Sequence, residues 1–341
     1  MPMRKGARRC FPTPEGGGLH VAIMMSAIIE VEHLTKRYGS ARGITDVSLQ
    51  VEEGAALGFL GPNGAGKTTT IRLLMALLRA DAGTARIAGM DAWEQSVAIK
   101  RIIGYLPGEL SLDPGLTGGQ ILEYFGHLRG GVDQAYLKQL IARLEVDPTK
   151  KFRQYSSGNK RKIGIIQAFM CRPRVLFLDE PTNGLDPLNQ QEFARMVKEA
   201  NGEGRTVFLS SHILTEVEQM CTRVAIIREG QLVRVGGIAE LKDIKRYEVV
   251  ITFAAAAPTD AFKQIPSVEQ VTALADGHTL RLEMTGELDA VVKAAAQYSV
   301  VSLTTQEPSL EDIFLRYYEG DGLAASTGAG SAAKEASHVV Q

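Results

Sequence analysis

The fold is decided by the stretch from Ala55 to Leu78, AALGFLGPNGAGKTTTIRLLMALL, in which an apolar run, a glycine-rich loop and a periodic segment follow one another. The run AALGFL predicts a buried strand, and TTIRLLMALL predicts an amphipathic helix. The loop between them, GPNGAGKTT (Gly61–Thr69), fits the pattern GxxxxGK[ST] in the strand-to-helix context that this motif requires. The sequence therefore predicts a phosphate-binding P-loop in an α/β protein.

Each part of this loop has a chemical role. Glycine permits a positive φ, so consecutive backbone N–H groups can turn toward phosphate oxygens. Lys67 is predicted to reach the β- and γ-phosphates as a catalytic contact, and the Thr68 hydroxyl to ligate Mg²⁺. The loop residues predicted to bind the nucleotide are Gly61, Pro62, Asn63, Gly64, Ala65, Gly66, Lys67, Thr68 and Thr69.

Two acids end a second apolar run, VLFLDEPT, from Val175 to Thr182. An unpaired buried carboxylate is unfavourable, so two acids at the end of a buried strand indicate a functional role. Beside a P-loop, Asp179 is predicted to hold Mg²⁺, and Glu180 to orient or deprotonate the attacking water. His212 follows the strand TVFLSS. A histidine there is compatible with a structural role, but together with these motifs it predicts a contact to the γ-phosphate or to a polarised water.

The segment YSSGN, which begins at Tyr155, places small polar residues at the start of the helix-forming stretch KRKIGIIQA. Backbone N–H groups at a helix start attract anions, so Ser156, Ser157 and Gly158 are candidates for a second phosphate contact. The alternative is an ordinary capped helix start.

Further strands are predicted from RIIGYL and VAIIREG, with helical segments between strands, as in a mostly parallel sheet covered on both faces. Helix-forming sequence at about 109–155 predicts a helical insertion. After residue 241 the pattern changes to β-α-β-β-α-β, the order of a ferredoxin-like domain, which predicts a second domain over 242–319. SLEDIFLRYY, with Ser309 as its N-cap, is predicted to close that domain.

Composition excludes several classes of protein. The 341 residues carry a formal net charge of −1, so no nucleic-acid partner is expected. Three widely spaced cysteines, Cys10, Cys171 and Cys221, predict neither a disulfide framework nor a zinc site, and no apolar run is long enough to cross a membrane. Residues 1–26 are predicted to be a disordered leader, with a weak signal peptide as the alternative, and 320–341 a disordered tail.

The P-loop, YSSGN, DEPT, NGLD and SSH, in this order, resemble the nucleotide-binding domain of an ABC transporter over about residues 28–241. The resemblance implies an ABC cassette with a mostly parallel sheet, an antiparallel β subdomain and a helical insertion, here at 27–241. It implies that Tyr38 stacks on adenine and that Asp186 is the acid of a loop crossing between subunits. It also implies that Ser156, Ser157 and Gly158 contact ATP bound by the opposite subunit.

Two departures from the family pattern stand out. The usual signature LSGGQ is YSSGN here, so Ser157 and Asn159 replace glycine and glutamine while the hydroxyl and the helix start remain. Gly108 stands where the family usually has a glutamine that contacts Mg²⁺ or the attacking water, and Glu109 follows it. That contact is either absent or transferred to Glu109.

The resemblance implies an ATPase that uses ATP and Mg²⁺ on the cytoplasmic face of the membrane, as a homodimer or a dimer with a homologous ATPase. The segment PSLEDIFLRYYEG resembles type-2 exporter ATPases of the daunorubicin and multidrug resistance kind, so a separate transmembrane permease is expected, docked near Leu110–Leu128. The C-terminal domain is expected to have a dimer-stabilising or regulatory role rather than a ligand-sensing one.

Two other functions remain compatible with the sequence. One is a soluble ABC ATPase that acts on ribosomes or DNA. The other is a non-hydrolysing regulatory module, which the intact Lys67, Asp179, Glu180 and His212 disfavour. The transported substrate is not encoded in these motifs.

Overall fold

The computed structural model describes residues 27–39, 41–242 and 246–306. The predicted leader, the tail and the segment around Ser309 lie outside the described residues. The strands are β1 Ala27–Tyr38, β2 Ala41–Glu52, β3 Ala56–Leu60, β4 Ala82–Ile87, β5 Met90–Asp91, β6 Ile103–Leu106, β7 Val175–Asp179, β8 Thr206–Ser211, β9 Arg223–Arg228, β10 Gln231–Gly237, β11 Arg246–Phe253, β12 Val268–Ala273, β13 Thr279–Thr285 and β14 Val300–Gln306.

The described helices alternate with these strands, as an α/β fold requires. They are α1 Lys67–Leu74, α2 Ser96–Ile102, α3 Gly118–Leu128, α4 Gln134–Arg143, α5 Ser157–Phe169, α6 Pro187–Gly202, α7 Leu214–Met220, α8 Ile238–Lys242, α9 Thr259–Lys263 and α10 Asp289–Ala295, with a 3₁₀ turn at Phe152–Gln154. None of the helices among the described residues is long and apolar enough to span a bilayer.

A sheet of six described strands, in the order β10-β9-β3-β8-β7-β6, forms the centre of the larger unit. Strands β9, β3, β8, β7 and β6 are parallel, and β10 runs antiparallel at the edge. Strands β3, β7 and β8 are buried throughout, as expected of parallel strands covered on both faces. Their carboxyl ends meet at one edge, which brings together chain segments that lie more than a hundred residues apart.

Alternate residues of the central strands pack into two separate cores. On β7, Leu176 and Leu178 join a cluster with residues of α5, α6 and α7. Val175 and Phe177 join a second cluster with residues of α1 and of the antiparallel sheet β2-β1-β4-β5. This arrangement confirms the predicted fold class of a P-loop cassette with an antiparallel β subdomain.

The helical insertion is formed by α3 and α4. Helix α3 begins with a capping box, because the Thr117 hydroxyl accepts from the Gln120 N–H while the Gln120 side chain accepts from the Thr117 N–H. Helix α4 begins at Asp133, whose carboxylate accepts from the N–H groups of Ala135 and Tyr136. Both helices lie within the predicted range of about 109–155.

The C-terminal strands form a separate antiparallel sheet in the order β12-β13-β11-β14, with α9 and α10 between them in the chain. This is the β-α-β-β-α-β order predicted for a ferredoxin-like unit. Alternate residues of β11 and β13, such as Ile251 and Leu282, pack on Phe262 of α9 and Val291 of α10. The domain boundaries 27–241 and 242–319 remain predictions.

Arg143, at the end of α4, ties the helical insertion to the cassette core. Its Nη2 atom lies 2.6 Å from Glu192 Oε1, and its Nη1 atom lies 2.5 Å from Glu199 Oε2, both on α6. The hydrogen bond from Arg143 is the main cause that lowers the pKa of Glu199. We expect Arg143→Met to lower the free energy of unfolding by about 1 to 2 kcal/mol, since Glu192 and Glu199 both lose the Arg143 guanidinium, although Glu192 keeps its pair with Arg195.

Thermal unfolding measures this effect, and a decrease in Tm of about 3 to 6 °C is expected. The matched control is Arg195→Met, because Arg195 is exposed and forms its ion pair with Glu192 on its own helix. A carboxylate whose folded pKa is lowered stabilises above its unfolded pKa and loses that effect as the pH falls through the folded value. The difference between parent and Arg143→Met should therefore shrink in acid, and a pH-independent difference would contradict the ionic explanation.

Candidate active site

The P-loop lies at the carboxyl end of β3, where α1 begins at Lys67. Gly66 is the N-cap of α1, with φ +109°. A Cβ at Gly66 would lie 2.6 Å from Ile44, and a Cβ at Gly61 would lie 2.3 Å from the carbonyl oxygen of Ile227. Gly61 and Gly66 therefore both lack space for a side chain, and Gly66 also has a backbone conformation that favours glycine.

Lys67 is buried within this loop and 5% exposed. Its ammonium donates to the carbonyl of Gly61 at 2.6 Å and to that of Pro62 at 3.2 Å. It also forms an ion pair of 3.0 Å with Glu180 Oε1. A buried ammonium needs such partners. The phosphates of a nucleotide would compete with Glu180 for this charge.

Asp179, the last residue of β7, faces the start of α1. Its Oδ1 atom accepts from the Ser210 hydroxyl at 2.5 Å and from the Thr68 hydroxyl at 3.2 Å. Its Oδ2 atom is buried and, within the described part of the chain, has no hydrogen-bond partner. An unpartnered carboxylate oxygen beside a threonine hydroxyl is a donor set that suits Mg²⁺, which prefers oxygen ligands. The residues present therefore fit the metal that the sequence predicts.

Glu180 stands at the turn that follows β7, with φ +45°. This left-handed conformation is unfavourable for a residue other than glycine and is found mainly where a site over-determines it. Its N–H donates to the carbonyl and the hydroxyl of Ser210. Its Oε2 atom lies 2.7 Å from Nδ1 of His212, which follows β8. One carboxylate thus contacts both the P-loop lysine and the histidine.

Two residues that the motifs did not single out complete the site. Glu216 on α7 accepts from the Thr182 hydroxyl at 2.5 Å and from the Ser211 hydroxyl at 2.8 Å, so it joins the segments after β7 and β8.

Arg161 on α5 is 4% exposed and contacts backbone carbonyls around Asp179 and Glu180. Burial lowers the pKa of Arg161 to about 10, so it remains a cation at neutral pH. Burial, with the nearby charge of Asp179, raises the pKa of Tyr105 to about 12.

In the YSSGN segment Ser156 and Ser157 are exposed, whereas Tyr155 is buried. The Ser156 hydroxyl caps α5 by accepting from the Asn159 N–H at 3.3 Å. A Cβ at Gly158 would lie 2.8 Å from the carbonyl oxygen of Gly184, so the start of α5 packs directly against the NGLD segment. Asp186 of that segment is exposed and caps α6, and hydrogen bonds from Asn189 lower its pKa. The two segments that the resemblance assigns to a partner subunit are therefore neighbours.

Tyr38 ends β1 and is 40% exposed. It pairs with Ala41 at the start of β2, and Gly43, two residues further on, lies against the P-loop at Gly66. The adenine-binding role predicted for Tyr38 stays a prediction, since it is placed near the loop by register alone.

Gly108 packs against Asp179. A Cβ at this position would lie 3.3 Å from Asp179 Oδ2. Glu109 is exposed. The structure therefore leaves both earlier alternatives open, a lost contact or one made by Glu109, and the roles predicted for all site residues stay predictions.

Comparisons with known proteins show what this chain is similar to. A family model described as "ABC transporter" matches residues 44–183, and one described as "ATP-binding protein DrrA1-3-like, C-terminal domain" matches residues 236–318. The chain is 33% identical to "Daunorubicin resistance ATP-binding protein DrrA3" of Streptomyces coeruleorubidus, over 86% of this chain and 96% of that protein. It is 32% identical to "Bacitracin transport ATP-binding protein BcrA" of Enterococcus faecalis, over 89% of this chain and all of the relative (100%).

A solved structure gives the same fold. The dimeric post-hydrolysis ATP-binding cassette MJ0796, bound to ADP and phosphate, superposes with a TM-score of 0.57 at 21% identity. The match covers 62% of this chain and 98% of that chain. The chain thus belongs to the ABC transporter family, as an ATP-binding and ATP-hydrolysing subunit of the group that includes the daunorubicin-resistance ATPases.

Proposed function

We propose that this ATPase subunit energises the export of an amphipathic, antibiotic-type compound through a transmembrane permease formed by a separate polypeptide. The relatives named for daunorubicin resistance and bacitracin transport support this cargo class. The match of residues 236–318 to the C-terminal domain of DrrA-like proteins supports it as well. These relatives do not favour the alternative of a soluble ATPase that acts on ribosomes or DNA.

The observation that carries the proposal is the contact between Glu180 and two other predicted catalytic groups. Lys67 and His212 both lie within 3.0 Å of the Glu180 carboxylate, and Asp179, next in the chain, contacts Thr68. This is the set needed to bind a triphosphate and to activate a water beside it.

Each of these residues has its own role in ATP hydrolysis. Entry of a triphosphate gives Lys67 new anionic partners, which releases Glu180 Oε1 to accept a proton from the attacking water. His212 holds the other carboxylate oxygen, so Glu180 keeps its direction while its charge changes. Thr68 and Asp179 would hold Mg²⁺, which when bound neutralises charge on the β- and γ-phosphates.

We further propose that two ATPase subunits sandwich each nucleotide. Ser156 and Ser157 are exposed, and Ser157 lies beside the exposed Gly184. Leu188, in the first turn of α6, is exposed as well. The dimer would be formed by two copies or by this chain and a homologous ATPase. The subunit would act on the cytoplasmic face of the membrane, where ATP is available.

Co-expression with a candidate permease, a membrane protein from a neighbouring reading frame, tests the proposal. The expected result is co-purification of the two proteins in detergent and an ATPase rate that rises severalfold with amphipathic antibiotics. The Glu180→Gln chain serves as the control, because it should co-purify without stimulated turnover. Association with ribosomes in place of the membrane protein would contradict the proposed function.

A further inference from the structure

Arg161 is a buried cation whose every N–H group meets a backbone carbonyl. Nε donates to Pro181 at 2.9 Å, and Nη1 donates to Pro107 at 2.6 Å and to Gly108 at 3.0 Å. Nη2 donates to Asp179 at 2.6 Å and to Glu180. A guanidinium has five N–H donors in a rigid planar fork, so its capacity is filled.

These acceptors belong to two different loops of the site. One loop follows β6 and contains Pro107 and Gly108, and the other begins at Asp179, the last residue of β7, and continues through Glu180 and Pro181. No single carbonyl would compensate the desolvation of a buried cation, whereas five together do so. The charge of Arg161 is therefore used to hold two loops at a fixed separation.

The held segment includes the strained residue of the site. Glu180 adopts φ +45°, and such conformations persist only where the surroundings over-determine them. Arg161 contacts the carbonyls directly before, at and after this turn. Ser156 lies five residues earlier, at the start of the same helix. One helix thus connects the surface proposed to meet the partner's ATP with the turn that carries the base.

We propose that Arg161 is a positioning residue for ATP hydrolysis, which fixes the Glu180 turn and the loop at Pro107–Gly108 relative to the start of α5. It contacts neither the nucleotide nor the water, and acts through the backbone of Glu180 and Asp179. The link to the partner's ATP rests on the proposed function, whereas the effect on the chain's own site does not. A displacement of about 1 Å at such a base lowers turnover by about 10²-fold.

Steady-state ATPase assays on the purified full chain test this role. Arg161→Met should lower kcat by about 10²-fold and change equilibrium ATP binding by less than about threefold, since the P-loop is untouched. Arg161→Lys should fall between parent and Arg161→Met, because an ammonium has three donors and cannot span both loops. The pattern of lost kcat, kept binding and partial rescue is one that simple destabilisation does not produce.

Arg205→Met is the matched control, because Arg205 is also buried, at 7% exposed, and lies outside the site. It should lower Tm without a selective loss of kcat. If Arg161→Met only lowers Tm as this control does, or if Arg161→Lys keeps the parental kcat, the proposal is overturned. Should Arg161→Met fail to fold, the kcat of Arg161→Lys still tests the proposal. Because these assays use basal activity, they are independent of any failure to find a permease.

Discussion

Replacement of Glu180 by glutamine is expected to reduce ATP turnover by about 10² to 10⁴-fold, or about 3 to 5 kcal/mol in the activation free energy. Glutamine keeps the shape of the side chain and cannot accept a proton from water. Lys67 keeps its two carbonyl partners and loses the competing carboxylate, so ATP affinity should stay equal or rise. Single-turnover hydrolysis and equilibrium binding of a fluorescent ATP analogue measure the two quantities.

The control for Glu180→Gln is Glu53→Gln, since Glu53 is an exposed acid that pairs with Arg174 away from the site. Its turnover should equal that of the parent. The glutamine variant should also form ATP-dependent dimers that size-exclusion chromatography detects, because bound ATP is not consumed. Unchanged turnover in Glu180→Gln would remove this residue from the role of base.

Replacement of Ser156 by glutamate is expected to abolish hydrolysis and to leave ATP binding to the monomer largely intact. In the proposed dimer an acid at this position would face the partner's triphosphate, and like charges repel strongly at a desolvated interface. The P-loop of the same chain would still hold its own nucleotide. Loss of ATP binding by the monomer would argue against an arrangement in which the residue acts on the partner.

The loss of a helix cap must be separated from this effect, because the Ser156 hydroxyl caps α5. Aspartate is as good an N-cap as serine and still carries a negative charge. Ser156→Asp should therefore fold like the parent and still fail to hydrolyse ATP. If Ser156→Asp is active, the defect of Ser156→Glu lies in the cap.

A mixing experiment gives the sharpest test of the shared site. A dimer of one Ser156→Glu chain and one Glu180→Gln chain contains one site with an intact Glu180 and an intact Ser156, contributed by different chains. Mixing two inactive variants should therefore restore turnover. If both residues served the nucleotide of their own chain, every site would carry a defect and no activity would return.

The buried parallel strands and the P-loop were predictable because their signals are local. Short continuous apolar runs such as VLFLD, bounded by polar residues, favour buried strands, and GPNGAGKTT is typical of a P-loop between a strand and a helix. Strands β4 and β10 did not stand out, because each is largely exposed and carries no continuous buried apolar run. Such strands form through pairing with neighbours that a local pattern does not reveal.

The contacts within the site depended on topology. Lys67 and Glu180 are more than a hundred residues apart, and only the parallel order of β3, β8 and β7 brings them together. Arg161 was hidden in the basic run Lys160–Lys162, which is typical of a solvated helix face. Its burial follows from the carbonyls that surround it, and Glu216 likewise has no local signal beyond an acid in a first helical turn.

The close approach of Gly108 to Asp179 makes these two positions epistatic. A side chain at 108 would place its Cβ 3.3 Å from the oxygen that the predicted metal would use. Any larger residue at 108, glutamine included, would therefore require the acid, or the loop that Arg161 holds, to shift by a few tenths of an ångström.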